Sequence, residues 1–212
     1  MQPPAPLSQQ PPQPQPQHPP SQRQPSAQPA RPSAANAHGA PARLPNQPTP
    51  IDYKHLRFLV FDAPSDRVAE LYLRELLAHG VTDVVRVCDP TYDKALFEAA
   101  GIRDLPFPDG EAPPDSVVQA WLQLVAQRFS SSLGKDKAAR PAEPTACVGV
   151  HCVAGLGRAP VLVAMALIEA GMAPLDSVIY IRERRRGAIN ARQLKFLEAY
   201  KRRSKDKACL IQ

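Results

Sequence analysis

The sequence predicts an α/β fold, with a central, largely parallel sheet flanked by helices and preceded by a disordered tail. Two observations lead there. Short apolar runs rich in β-branched residues alternate with segments whose apolar residues recur at helical spacing, the pattern of strand–helix–strand units. The tail follows from composition: residues 1–50 hold 16 of the 26 prolines, 10 glutamines and no acidic residue, which leaves too few apolar side chains to build a core. The other 162 of the 212 residues are enough to bury one.

The Pro/Gln tail contains polyproline II stretches such as Pro11-Pro12-Gln13-Pro14, readable as solvated chain or as a ligand for an SH3-like module. Residues 56–61 are a short apolar run, expected as a buried strand. Ser65 is placed to cap a helix with Val68, Leu71, Tyr72, Leu76 and Leu77 on one face, ended by Gly80. Residues 81–88 (VTDVVRVC) read as a second strand. Pro113-Pro114 opens a helix that turns Val117, Val118, Trp121, Leu122, Val125 and Phe129 inward. Residues 130–144 are polar and break the pattern, as a surface loop does. Residues 146–150 form another buried strand, which places Cys147 in the core; a glycine-bearing turn and an apolar helix over about 159–170 follow. Helices from Pro174 and from Asn190 to about Tyr200 complete the domain, with Asn190 and Gln193 at the spacing of a capping box.

The charge map narrows the function. Residues 51–181 carry 12 basic and 17 acidic side chains, whereas residues 182–207 carry 11 basic and 3 acidic. Basic character is thus gathered at one end beside a mildly acidic body, unlike the spread basic face with exposed aromatics of a nucleic-acid binder, and no nucleic acid is expected as a partner. No apolar run reaches the ~18 residues of a membrane helix, and the first residues lack the apolar stretch of a signal peptide, so neither membrane spanning nor secretion is expected. Four unevenly spaced cysteines (Cys88, Cys147, Cys152 and Cys209) do not form a disulfide framework.

The informative segment is His151-Cys152-Val153-Ala154-Gly155-Leu156-Gly157-Arg158, between a strand and a helix. There, backbone N–H groups converge on an anion and the helix dipole favours negative charge, so a cysteine is expected as a thiolate. Gly155 and Gly157 let the backbone curl inward, and the Arg158 guanidinium can hold a phosphate by two parallel hydrogen bonds. Thiolate, amide cradle and guanidinium describe in-line attack on a phosphate ester. The expelled oxygen needs a proton, and Asp109, in a loop stiffened by Pro106 and Pro108, is the candidate donor, although an aspartate before glycine is also an ordinary turn residue.

Histidine-cysteine, five residues and arginine is the protein-tyrosine-phosphatase signature, and HCVAGLGRAPVLVA at 151–164 resembles the phosphatases of regenerating liver. Similar too are VRVCDPTYDKA at 85–95, PFPDG at 106–110, IRERRRGAINARQL at 181–194 and the terminal CLIQ. The resemblance covers residues about 51–212. It implies a cysteine-phosphatase fold over 51–203 and a basic tail with a C-terminal prenylation box over 204–212. It also implies a phosphocysteine at Cys152, phosphate binding by residues 153–157 (Val153, Ala154, Gly155, Leu156, Gly157) and Arg158, and acid catalysis by Asp109. His151 would support the thiolate or be merely structural, and Gln193 would border the pocket. Ala159 stands where most of the wider class carry a hydroxyl, which implies slow turnover. Cys88 occupies the family's resolving-cysteine position and would pair with Cys152, the alternative being core packing. Neither cofactor nor metal is implied.

Arg184-Arg185-Arg186 and Lys201-Arg202-Arg203 are either a solvated face or, with Cys209, the second signal of a lipid anchor on anionic membrane. The glutamine that ends the box favours farnesyl. The expected location is therefore the cytoplasmic face of membranes, with a soluble cytosolic pool. Family precedent also implies a partner beside the phosphoprotein substrate, the CBS-pair domain of cyclin-M-type magnesium transporters. That makes a pseudophosphatase-like binding module the alternative function. The family's acid loop reads Trp-Pro-Phe-Asp-Asp-Gly; here Leu105 and Pro108 replace the tryptophan and the first aspartate, and Asp109 keeps the second.

Overall fold

The computed structural model describes residues 44, 46–95, 97, 101–129 and 146–203. The expected loop at 130–144, the expected tail up to residue 43 and Cys209 lie outside the described residues, whereas Leu44 and residues 46–50 of that tail are described and Thr49 and Pro50 already belong to the sheet. Among the described residues five strands form one sheet: β1 (Thr49–Tyr53), β2 (Leu56–Asp62), β3 (Val81–Arg86), β4 (Ile102–Asp104) and β5 (Cys147–Cys152), in the order β1-β2-β5-β3-β4. β1 is an antiparallel edge; the pairings β2–β5, β5–β3 and β3–β4 are parallel. The helices are α1 (Ala69–Ala78), α2 (Asp115–Phe129), α3 (Arg158–Glu169), α4 (Pro174–Arg184) and α5 (Ala191–Ala199).

Strand periodicity of two divides the apolar residues between the two faces. Phe58, Val60, Val85, Val148 and Val150 pack with Trp121 of α2 and with α3, whose residues from Arg158 to Ile168 are all buried. Leu59, Phe61, Val84 and Cys147 join Tyr72 and Leu76 of α1. Central β5 is buried at all six positions, as a parallel strand covered on both faces must be. Its carboxyl end opens toward α3, where ligands bind in open α/β sheets.

Several elements differ from the sequence reading. α1 starts at Ala69 because residues 65–68 close a turn first, with Val68 N–H donating to Ser65 O (3.0 Å) and no side-chain cap. Leu77 lies off the buried stripe and is 61% exposed. β3 ends at Arg86, two residues short of Cys88, whereas β5 runs on through His151 and Cys152. β1 and β4 were not expected. β1 begins ahead of residue 51, where Pro50 is tolerated because the strand is an edge, and Leu44 is already buried against the α1 face. β4 is only three residues long.

Candidate active site

Cys152 is the last residue of β5, in register with Asp62 at the end of β2. The chain turns through residues 153–157 into α3, whose first residue is Arg158. The carbonyls of this turn are taken from outside. Val153 O accepts from Ala63 N–H (2.9 Å), Ala154 O from Arg185 Nη2 (3.1 Å), Gly155 O from Arg185 Nε (2.6 Å) and Leu156 O from Ile189 N–H (2.7 Å). In a trans peptide the N–H points opposite its C=O. Holding four carbonyls outward therefore turns the next N–H groups, those of residues 154–157, into the concavity. With the amino end of α3 they form an anion cradle at Cys152.

Gly155 is required here. Its φ is +65°, and a Cβ would come within 2.5 Å of Phe61 O and of Arg185 Nη2. On the supporting side, Ile189 also sits at positive φ (+64°), a costly conformation for a β-branched residue. It is held there by burial, by its bond to Leu156 O, and by Arg182, whose guanidinium donates to Ala188 O (2.9 Å) and Ile189 O (2.7 Å).

Arg158 joins the cradle to the acid loop. It is buried, its Nη1 donates to Phe107 O (3.1 Å), and its Nε lies 3.1 Å from Asp109 Oδ1 in an ion pair without hydrogen-bond alignment. Asp109 itself is 76% exposed. A pocket of about 260 Å³ opens between them, lined by Asp109, Cys152, Val153, Leu156, Gly157 and Gln193. Val153 (57% exposed) and Leu156 (37%) give it an apolar rim. Ala159 is fully buried and carries no hydroxyl toward this loop.

His151 lies on the opposite sheet face from Cys152, stacked on Phe61 at 4.9 Å between ring centroids, with Nε2 2.8 Å from Tyr92 OH. Burial pushes its pKa down to about 4, so the ring is neutral at physiological pH. Burial likewise pushes the Tyr92 phenol up to about 12, so it keeps its proton, and the ring tautomer of His151 sets which of the two groups donates. Cys88 is buried just beyond β3, and burial pushes its thiol up to about 11; the opposing pull of Arg158 and the push of Cys152 are smaller. Cys88, Cys147 and Cys152 are free thiols, Cys147 being buried as expected.

The structure thus brings together Cys152, residues 153–157, Arg158, Asp109 and Gln193, with Ala159 and His151 behind. The capping box of Asn190 and Gln193 is present as expected. One expectation is corrected: Arg185 is part-buried and holds the loop instead of facing solvent or membrane. Sequence reading missed Arg182, Arg185 and Ile189. Their only trace is the i, i+3 spacing of the two arginines, which inside a basic run looks like solvated charge.

A nucleophilic cysteine at a strand end, an outward-pinned amide loop and an arginine opening the next helix define a cysteine-dependent phosphatase. Relatives give the particular family. The chain is 46% identical over 175 residues to a probable protein tyrosine phosphatase type IVA A of Dictyostelium discoideum, covering 82% of this chain and 98% of that one. It is 48% identical over 160 residues to human protein tyrosine phosphatase type IVA 3, covering 74% and 86%, and 48% identical over 156 residues to the PRL-1 phosphatase of Drosophila melanogaster, covering 73% and 82%. Among solved structures, a putative protein tyrosine phosphatase from Leishmania major superposes with a TM-score of 0.65 at 40% identity, covering 74% of this chain and all of that one. No family model matches. The chain belongs to the protein tyrosine phosphatase type IVA family and is an enzyme of that class.

Proposed function

We propose that the enzyme works through a phosphocysteine with slow turnover. Cys152 Sγ attacks phosphorus, forming the S–P bond, while the N–H groups of residues 154–157 and Arg158 hold the equatorial oxygens. The incoming phosphate competes with Asp109 for Arg158, which frees the carboxyl to protonate the leaving oxygen as the P–O bond breaks. Water, deprotonated by Asp109, then cleaves S–P and releases phosphate and the thiolate. Ala159 offers no hydroxyl to that departing thiolate, so the second step is the slow one. The observation that supports this most is the cradle of outward-held carbonyls closed by Arg158 against the acid loop. Stopped-flow assay with an aryl phosphate tests it. One rapid equivalent of phenol followed by a slow phase is expected; the burst should vanish in Cys152→Ser, and the slow phase should quicken in Ala159→Ser. A linear wild-type trace sinks the assignment.

The same cradle and Arg158 suit a carboxylate as well as a phosphate, which supports the second reading, capture of an acidic loop on a CBS-pair domain. Equal affinity of such a domain for free and phosphorylated Cys152, measured by calorimetry, would place any contact elsewhere. We further infer a farnesyl anchor at Cys209 from the terminal CLIQ. One chain binds membranes only marginally, so basic residues are asked to assist it. Cys209→Ser that stays on membranes as fully as wild type would end this reading.

A further inference from the structure

The first turn of α5 carries a capping box built from two carboxamides. Asn190 Oδ1 accepts from Gln193 N–H (2.8 Å) and Gln193 Oε1 accepts from Asn190 N–H (3.1 Å). Capping uses only the oxygens, which serine or aspartate at the first position and glutamate at the second supply as well. The two NH2 groups are left over, and both reach the acid loop. Asn190 Nδ2 donates to Gly110 O (3.2 Å) and Gln193 Nε2 to Glu111 O (3.4 Å). The partners settle both orientations: each oxygen faces a backbone N–H and each nitrogen faces a carbonyl, so flipping either amide sets like against like. Between them Arg192 pairs with Glu111 Oε1 (3.1 Å).

We propose that Asn190 and Gln193 are positioning residues that latch the acid loop over the pocket and so keep Asp109 at the leaving oxygen. The loop is held on both sides of Asp109, at Phe107 O by Arg158 and at the consecutive carbonyls of Gly110 and Glu111 by the two amides. The Asp109 side chain is largely exposed and its one ionic contact among the described residues is to Arg158, so these main-chain bonds set where it stands. The latch is close-fitting, since a Cβ on Gly110 would lie 3.3 Å from Asn190 Nδ2. Carboxamides serve here because one short side chain must accept on its own helix and donate to the neighbouring loop.

The proposal rests on Asp109 acting as general acid, and the test separates the two. Asn190→Ser keeps a capping oxygen and removes the donor; Asn190→Asp keeps the cap and sets an oxygen against Gly110 O. The value of kcat/KM, which reports phosphocysteine formation, is measured on aryl phosphates from 2,4-dinitrophenyl to phenyl, with Asp109→Asn in parallel. Good leaving groups need no acid, so the loss should be small on dinitrophenyl phosphate and grow to about fivefold on phenyl phosphate in Asn190→Ser, the worth of one hydrogen bond. It should be larger in Asn190→Asp, with the unfolding midpoint of Asn190→Ser lowered by no more than about 4 °C, the cost of that one bond. A loss independent of leaving group that tracks a lowered midpoint, or no loss at all, overturns the latch while Asp109→Asn remains steep. A flat series in Asp109→Asn overturns the acid assignment and the latch with it.

Discussion

Replacing Arg185 by methionine keeps the aliphatic stem and removes the guanidinium that holds the phosphate loop from behind. Three hydrogen bonds go, to Gly155 O (2.6 Å), Ala154 O (3.1 Å) and Thr49 Oγ1 (2.9 Å). Gly155 is buried, so its orphaned carbonyl costs the full ~1–3 kcal/mol of an unmet acceptor. The Ala154 contact is exposed, where water substitutes, and it is worth about 0.5 kcal/mol. The variant also recovers the cost of burying the guanidinium, a cost seen in the Arg185 pKa, which desolvation holds below the usual arginine range. The net loss is about 2 kcal/mol, or roughly 4–8 °C in unfolding midpoint for a domain of this size. Catalysis should suffer more. Once the Ala154 and Gly155 carbonyls can turn, the N–H groups of residues 155 and 156 leave the cradle, and two charge-assisted bonds at ~1.5 kcal/mol each amount to about a hundredfold in oxyanion affinity. Vanadate inhibition beside a thermal melt reads both quantities. A folded Arg185→Met protein that binds vanadate within a few-fold of wild type would refute the claim that this guanidinium shapes the loop.

Two further outcomes follow from buried titrating groups. His151 is neutral in the fold down to about pH 4 but has an ordinary pKa of 6.5 when unfolded. Between those values the unfolded state binds the extra proton, so the contribution is complete above pH 6.5 and about 3 kcal/mol of it is lost as pH falls to 4. Urea unfolding across that window should show the slope, and His151→Asn should flatten it; an equal slope in the variant assigns it to other groups. Cys88, its thiol pushed up to about 11 by burial, would be a slow partner for an oxidised Cys152 if the two pair. In the proposed pairing peroxide would oxidise Cys152 to a sulfenic acid, and attack by the Cys88 thiolate would displace hydroxide to give the disulfide. Its formation should rise about tenfold per pH unit over roughly pH 7–9. Peptide mapping that pairs Cys152 with Cys147, or pH-independent formation, would refute this pairing.

What the sequence made legible is local. The segment from His151 to Arg158 can be read because the strand, the glycines and the helix start lie within a dozen residues and each acts on its neighbour. Asn190 and Gln193 were legible as a capping box for the same reason, their oxygens serving their own helix. The other half of those amides serves Gly110 and Glu111, some eighty residues away, and no local pattern reports a donor's distant acceptor. β1 was hidden by Pro50, which as an edge residue costs the sheet little. The outward carbonyls of the phosphate loop explain why the glycines are needed. They are held by Ala63 and by Arg185 and Ile189, drawn from two separate parts of the chain.

The basic segment shows how tertiary context redistributes charge that a sequence can only count. Of the 11 basic residues in 182–207, Arg182 and Arg185 are bonded to carbonyls around the site, Arg192 to Glu111, Arg202 to Glu169 O and Arg203 to Asp115. Arg184 lies over the Tyr180 ring. Among the described residues, Arg182, Arg186, Lys195 and Lys201 are exposed and paired with no carboxylate, and Arg182 keeps its charge although it bonds to carbonyls. At about 1 kcal/mol each near anionic lipid, these four would supply roughly 4 kcal/mol if the segment met a membrane. Charge removal at Arg203 would therefore disturb the anchoring of the segment after α5 to α2 before it reported on a membrane. Lys195 and Lys201, exposed and outside the phosphate loop, are the positions where a loss of membrane retention would be read as electrostatic attraction.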